Sequence, residues 1–277
     1  MTCQTPYLNR RQITAGLLGA SLLPRPVFAA EIINADISFE DFGKAARVID
    51  GDSLIFESGL RVKLAGILAP AGKGSSAQAY VKRSMQALET LVAGRKIGLF
   101  YSGETRDRYD RAIAQVFTLR PDGTADQWIQ NELIKLGAAR VRSYAGSVWR
   151  NDVLLKSELI AREAGRGLWQ SADYGVRSPA PNALAQHVDS FQIVEGLIIS
   201  TAQVRGQTYL NFGSDYRTDF TVSIARKHRK LFEKAGVDLV ALEGARVRVR
   251  GWVELYNGPV MWLDHPDALE ELTPIVT

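Results

Sequence analysis

Three short β-prone segments, residues 46–50 (ARVID), 53–57 (SLIFE) and 61–67 (RVKLAGI), follow one another with only Asp-Gly and Ser-Gly turn chemistry between them. That succession commits the start of the folded chain to small, tightly connected strands. A helix is expected from about Ser76 to Val92, where Ala79, Met85, Leu88 and Val92 recur at helical spacing. Residues 95–101 (RKIGLFY) and 111–119 (RAIAQVFTL) read as two more strands, the second closed by the Pro121-Asp122-Gly123 turn. Helices return at about Ala125 to Leu136 and Asn151 to Glu163. Five short strands with helices between and after them predict a small barrel capped by helices.

Residues 171–189, with two prolines and little apolar pattern, read as a linker. Beyond it the segments IVEGLIIS, QTYLNFG, DFTVSIA, RVRVRGWVELY and VMWLD read as strands, and a basic helix, RKHRKLFEKAG, falls after the third. Five strands with one helix between the third and fourth predict a second barrel of the OB type over residues 190–277.

The first 29 residues read as an export signal of the twin-arginine type. Arg10 and Arg11 are paired, no acid precedes Glu31, and a mild apolar stretch from Ile13 to Leu23 leads to small residues near Ala29. That stretch is too short for a stable anchor, and the mature chain is expected to have no membrane span. The expected destination is the periplasm or the medium of a bacterium. Arg10, Arg11 and Arg25 supply three of the 34 basic residues, so the mature chain keeps 31 basic against 30 acidic, a net charge of +1. Its local charge is uneven: residues 46–170 carry net +6 and residues 188–277 net −2. Cys3 is the one cysteine, so cysteine-based zinc and redox chemistry is excluded from the mature chain. His187, His228 and His265 show no metal-ligand spacing.

Asp50-Gly51-Asp52 alone is turn chemistry. Together with RDRYDRAIAQVF (residues 106–117), LIKLGAARV (133–141) and LLKSELIAREAGRGLW (154–169), it resembles the thermonuclease family of staphylococcal nuclease-like domains over residues 46–170. The resemblance implies a five-stranded OB barrel with three helices, and in active members a calcium-dependent cleavage of DNA and RNA. It implies a metal carboxylate at Asp52, a phosphate-clamping arginine at Arg111, and nucleotide contacts near Tyr109 and Tyr144. Three positions depart from it. Lys63 stands where the family has a second arginine, Leu68 where it has a second metal carboxylate, and Ala71 where it has the general-base glutamate.

Magnitudes weigh these departures. Calcium takes about 6–8 oxygen ligands, and a positioned general base contributes roughly 10²–10⁴ in rate. Lysine for arginine replaces a planar fork by a point charge. Plainer readings stand beside each role: Asp50 and Asp52 serving a turn, Arg111 pairing with Asp107 or Asp110, Lys63 exposed on its strand. Glu57, Asp107 and Asp110 are the nearest acids in sequence that could complete a metal site.

The segment 246–256 alternates, with Arg246, Arg248, Arg250, Trp252, Glu254 and Tyr256 on one face. Arginines in line with aromatics suit a single-stranded nucleic-acid platform, and cross-strand ion pairs are the plainer reading. Three functions are open. One is a catalytically degenerate nuclease-like protein that binds nucleic acid (single strands among the candidates), another polyanion or a protein partner, without a cofactor. The second is an active divergent nuclease with calcium, using Asp52, Arg111 and Lys63. The third is an envelope module for a protein partner.

Overall fold

The computed structural model describes residues 37–72, 75–147 and 149–272. The expected export segment and Cys3 lie outside these. The described residues fall within one compact unit.

The first half runs β1 (Asp41–Gly43), β2 (Ala45–Asp50), β3 (Ser53–Phe56), β4 (Arg61–Leu64), β5 (Ile67–Leu68), α1 (Ser75–Val92), β6 (Ile97–Phe100), β7 (Ala112–Leu119), β8 (Ala125–Trp128), α2 (Ile129–Lys135), β9 (Arg140–Val141) and α3 (Asn151–Glu163). β2, β3 and β4 form an antiparallel meander, β4 pairs parallel with β7, and β7 pairs antiparallel with β6, which pairs with β1. All eight residues of β7 are buried. A strand paired on both edges and covered on both faces reads as a near-continuous apolar run; AIAQVFTL is apolar at six of its eight positions, and its two polar residues are satisfied inside, Gln115 Oε1 by the Trp128 indole N–H and Thr118 Oγ1 by the Gln127 N–H.

The meander's first turn is set by its own side chains. Asp50 Oδ1 accepts the Asp52 N–H at 3.0 Å, an Asx turn. Gly51 between them admits no side chain, because a Cβ there would lie 1.8 Å from Ser84 Oγ on α1.

The helix expected from Ala125 begins as a strand instead. The Asp122 turn folds β8 back on β7, Trp128 opposite Phe117 and Gln127 opposite Thr118. Trp128 is buried against Phe117 at 6.3 Å between ring centroids, and its Nε1–H donates to Gln115 Oε1 at 2.9 Å. The hairpin register satisfies the indole there, and the helix starts only at Ile129.

The second half contains α4 (Pro181–Leu184), β10 (Ser190–Leu197), β11 (Ser200–Val204), β12 (Gln207–Asn211), β13 (Thr221–Ile224), α5 (Arg226–Lys234), β14 (Arg246–Leu255), β15 (Pro259–Leu263) and β16 (Leu269–Glu271). The segment expected as one strand from Ile193 is two, bent at Ile198-Ile199, so the helix follows the fourth strand. The order β10-β14-β15-β13-β12-β11 repeats the connectivity of β1-β6-β7-β4-β3-β2. In both sheets the third meander strand pairs parallel with a later one, β4 with β7 and β13 with β15. β10-β11 corresponds to β1-β2, one long strand bent in two.

The expected linker is pinned to the second sheet. The Arg177 N–H donates to Ile193 O at 2.8 Å and Arg177 O accepts from Glu195 N at 2.9 Å, while Leu184 lies in the second core.

The two halves meet around Arg250 of β14, which is 2% exposed. Its guanidinium donates to Glu158 Oε2 on α3 at 2.7 Å, to Val141 O on β9 at 3.2 Å and to Glu270 Oε1 at 2.5 Å. Arg140 lies in the same junction, its guanidinium 5.3 Å from the Tyr174 ring and 5.1 Å from the Phe191 ring.

Candidate active site

β3 and β4 bring Asp52 and Lys63 together. Ser53 lies opposite Lys63 in register, which sets Asp52 beside the lysine's strand. Asp52 is 2% exposed. Its Oδ1 takes the Lys63 ammonium in a short ion pair, and its Oδ2 takes the Ala69 N–H at 2.8 Å. Ala69 follows Leu68, at the end of the strand where sequence placed the lost carboxylate. The backbone therefore still reaches Asp52 at this point, with an amide hydrogen in place of a shared cation.

Burial raises the Asp52 carboxyl, while the Lys63 charge pulls it back down and the neighbouring Asp50 pushes it up; it lies at about 6. Burial also opposes ionisation of Asp50, but hydrogen bonds from Asp52 and the Lys63 charge hold its carboxyl below the ordinary value. Of the two, Asp50 is the firmly ionised one, and near neutral pH Asp52 forms an ion pair with Lys63.

Arg111 precedes β7 on the loop that carries Asp107. Its Nε donates to Asp107 Oδ2 at 2.7 Å and its Nη2 lies 2.6 Å from the same oxygen. Of the two partners weighed from sequence, the pair is with Asp107; Asp110 sits at a left-handed turn position, φ 58°. Asp107 Oδ1 also accepts the N–H groups of Tyr109 and Arg111, at 2.9 and 3.0 Å. Burial acts against ionisation of Asp107, but these bonds and the arginine charge hold its carboxyl below the ordinary value. Tyr109 is 54% exposed, with the Arg108 and Arg111 guanidinium groups 4.8 and 5.4 Å from its ring centre.

Lys63, Arg111 and Tyr144 line one cleft of about 170 Å³, together with Glu104, Asp107 and Arg142. Tyr144 is half-buried, with the Arg142 guanidinium 5.0 Å from its ring. Glu104 and Arg142 were not singled out from sequence. Glu104 lies three residues before Asp107 in the same loop, and Arg142 alternates with the buried Arg140 along residues 140–142; both signals are legible only once the loop and β9 are known to face one another. Neither Glu104 nor Arg142 forms an ion pair among the described residues. Glu57 does not line this cleft.

The remaining predicted residues lie elsewhere. Glu195, opposite Arg248 in register, takes both Arg248 and Arg246 at 2.9 Å. Arg250 is enclosed between the halves, where no nucleic acid reaches it. Its face of β14 is not uniformly solvated: it packs on the first half at Arg250 and is exposed at Arg246 on one side and at Trp252, Glu254 and Tyr256 on the other, Trp252 being 45% exposed. The cross-strand ion pairs of the plainer reading are the ones present.

Among the described residues, no three histidine, cysteine, aspartate or glutamate side chains cluster so as to hold a metal ion. No helix among them is long and apolar enough to cross a membrane.

The cleft lies within a segment of the chain that matches known proteins. A protein of Podospora anserina named "Probable endonuclease LCL3" is 26% identical over 136 residues, 47% of this chain and 48% of its own length. The thermonuclease of Staphylococcus hyicus is 23% identical over 151 residues, 53% of this chain and 84% of its own length. The chain thus spans about half the length of the first relative. Residues 61–171 match the family model described as staphylococcal nuclease homologue, and with the parallel β4–β7 pairing this shows that the chain contains a staphylococcal nuclease-like domain.

Proposed function

We propose that this protein binds nucleic acid through its nuclease-like cleft and no longer cleaves it by the family's metal-dependent route. The observation that carries this reading is the Lys63–Asp52 ion pair. Both oxygens of Asp52 are engaged, one by an ammonium and one by an amide, and Leu68 contributes methyl groups where a second oxygen ligand would be needed. These residues do not fit a calcium ion, which requires about 6–8 oxygens. Ala71 offers no base. What remains is a recess large enough for a phosphate group, with three cations, Lys63, Arg111 and Arg142, against the two carboxylates Glu104 and Asp107 on its walls. Export to the bacterial periplasm or medium belongs to the same proposal and is supported by the arginine pair and apolar stretch of the first 29 residues.

Glu104 supports a second reading, a divergent nuclease. It is an exposed carboxylate without an ion-pair partner on the wall of the same cleft, where it could act as a base toward a bound phosphodiester. One experiment separates the two. Residues 30–277 are incubated with single-stranded DNA and RNA, with calcium and with chelator, alongside Lys63→Ala/Arg111→Ala. Salt-sensitive binding without cleavage supports the binding reading. Cleavage abolished by the double substitution overturns it, and loss of that cleavage in Glu104→Gln identifies the base. Neither binding nor cleavage leaves a protein partner as the reading to pursue.

A further inference from the structure

The cleft does not end at the nuclease-like domain. Arg142 and Tyr144 form its far wall, and both also wall a second recess of about 190 Å³ between the halves. Trp252 and Trp262 of the second sheet close that recess on its other side. Trp262 in turn walls a third recess of about 440 Å³ on the second sheet, edged by Tyr209, Tyr216 and Tyr256. The three recesses thus follow one another across both halves, with Arg142 and Tyr144 shared by the first two and Trp262 by the second and third.

The chemistry of the path changes along its length. Cations stand at the cleft end, and exposed aromatic rings follow: Trp252 is 45%, Trp262 43%, Tyr216 60% and Tyr256 68% exposed. The Trp262 Nε1–H is held by Glu254 at 3.0 Å, which orients the indole while leaving its face open.

We infer that a single-stranded nucleic acid lies along this path, one phosphate in the cleft and successive bases stacked on Trp252, Trp262 and the tyrosines of the second sheet. The inference rests on the nucleic-acid reading above and adds to it the second sheet as part of one site, and single strands as the substrate class. A duplex keeps its bases stacked on one another and cannot use the rings. A phosphate-only polyanion gains nothing from them either. Because few free cations line the path, stacking rather than charge supplies most of the affinity. Base–aromatic stacking is sequence-tolerant, and losing one ring weakens binding by roughly tenfold.

The test is fluorescence anisotropy on the full chain with labelled oligothymidylates of about four and about twelve nucleotides. The longer strand is expected to bind at least about tenfold more tightly. Trp252→Ala and Trp262→Ala, both at exposed positions, are expected to remove that advantage and leave the short strand unaffected. The salt slope is expected to be shallow, about −0.7 for the one phosphate in the cleft. A duplex of equal length competes poorly. Equal binding of short and long strands, or tryptophan variants without effect on the long one, overturns the shared path while leaving phosphate binding in the cleft intact. No binding of any oligonucleotide, with both indoles free to take up a protein partner, overturns both.

Discussion

The Lys63 ammonium lies on Asp52 Oδ1, inside the turn that would otherwise present that carboxylate to a cation, and the Ala69 N–H closes on the other oxygen at 2.8 Å. A buried carboxylate without a counter-charge is costly. Asp52 therefore needs a counter-charge, and a lysine on the adjacent strand is long enough to supply one. The pair explains how a carboxylate stays buried in this turn.

Lys63→Met is expected to destabilise the protein in a pH-dependent way. Asp52 is raised to about 6 by burial, against the pull of Lys63. A carboxyl raised on folding contributes stability that is full below its unfolded value, near 4, and fades as pH climbs through the folded value. Without the ammonium the fading extends to higher pH and deepens. Urea unfolding should show a loss of about 3–5 kcal/mol near pH 7.5 and a clearly smaller one near pH 5, with Asp52→Asn/Lys63→Met recovering most of it. An equal loss at both pH values would mean that packing, not charge, is what Lys63 provides.

Calcium at millimolar concentration is expected to leave the melting temperature of the native chain unchanged. Lys63→Arg/Leu68→Asp/Ala71→Glu restores the family's oxygen and base positions. It should gain a calcium-dependent rise of a few degrees, as a ligand bound to the folded state alone stabilises it. A calcium-dependent rise in the native chain would show that Asp52 exchanges its lysine for a metal.

The strand framework was legible because it rests on local patterns. Asp-Gly and Ser-Gly turns, and the mostly apolar run of β7, report pairing directly. The start of α2 was not, because residues 125–128 suit a helix and only the hairpin partner Phe117 makes Trp128 a strand residue. The charged face of β14 was legible as a face and misleading as a function. Alternation places Arg250 with Arg246 and Arg248, but which surface covers that face depends on α3, some 90 residues away. Lys63 was read as a weakened clamp; that its head turns inward onto Asp52 follows from the β3–β4 register, which sequence spacing does not disclose.

Arg250 is expected to be the strongest single tie between the halves. Burial works against its charge, but Glu158 and Glu270 more than offset this and hold the guanidinium charged. Arg250→Met leaves Glu158, itself 1% exposed, with only the Val141 N–H, donated at 2.6 Å. The expected cost is about 3–5 kcal/mol. Glu158→Gln keeps the acceptor for Val141 and removes the charge, so Arg250→Met/Glu158→Gln should cost less than the two single changes added together. Strict additivity in denaturant unfolding would mean that the two side chains do not act as a pair.

Asp107 is expected to limit anion binding in the cleft. Two nitrogens of Arg111 converge on its Oδ2, so a phosphate must compete with an internal carboxylate for the same fork. Asp107→Asn removes the competing charge, and asparagine Oδ1 still accepts the Tyr109 and Arg111 N–H groups that shape the loop. The affinity for a short oligothymidylate should rise several-fold, and the salt dependence should steepen by about 0.7 in slope as one more phosphate contact forms. Asp107→Ala provides the contrast: it also frees Arg111 but orphans both loop N–H groups, so stability falls. If Asp107→Asn binds no better than the native chain, or worse, Arg111 serves the loop rather than a ligand, and the cationic end of the cleft reduces to Lys63 and Arg142.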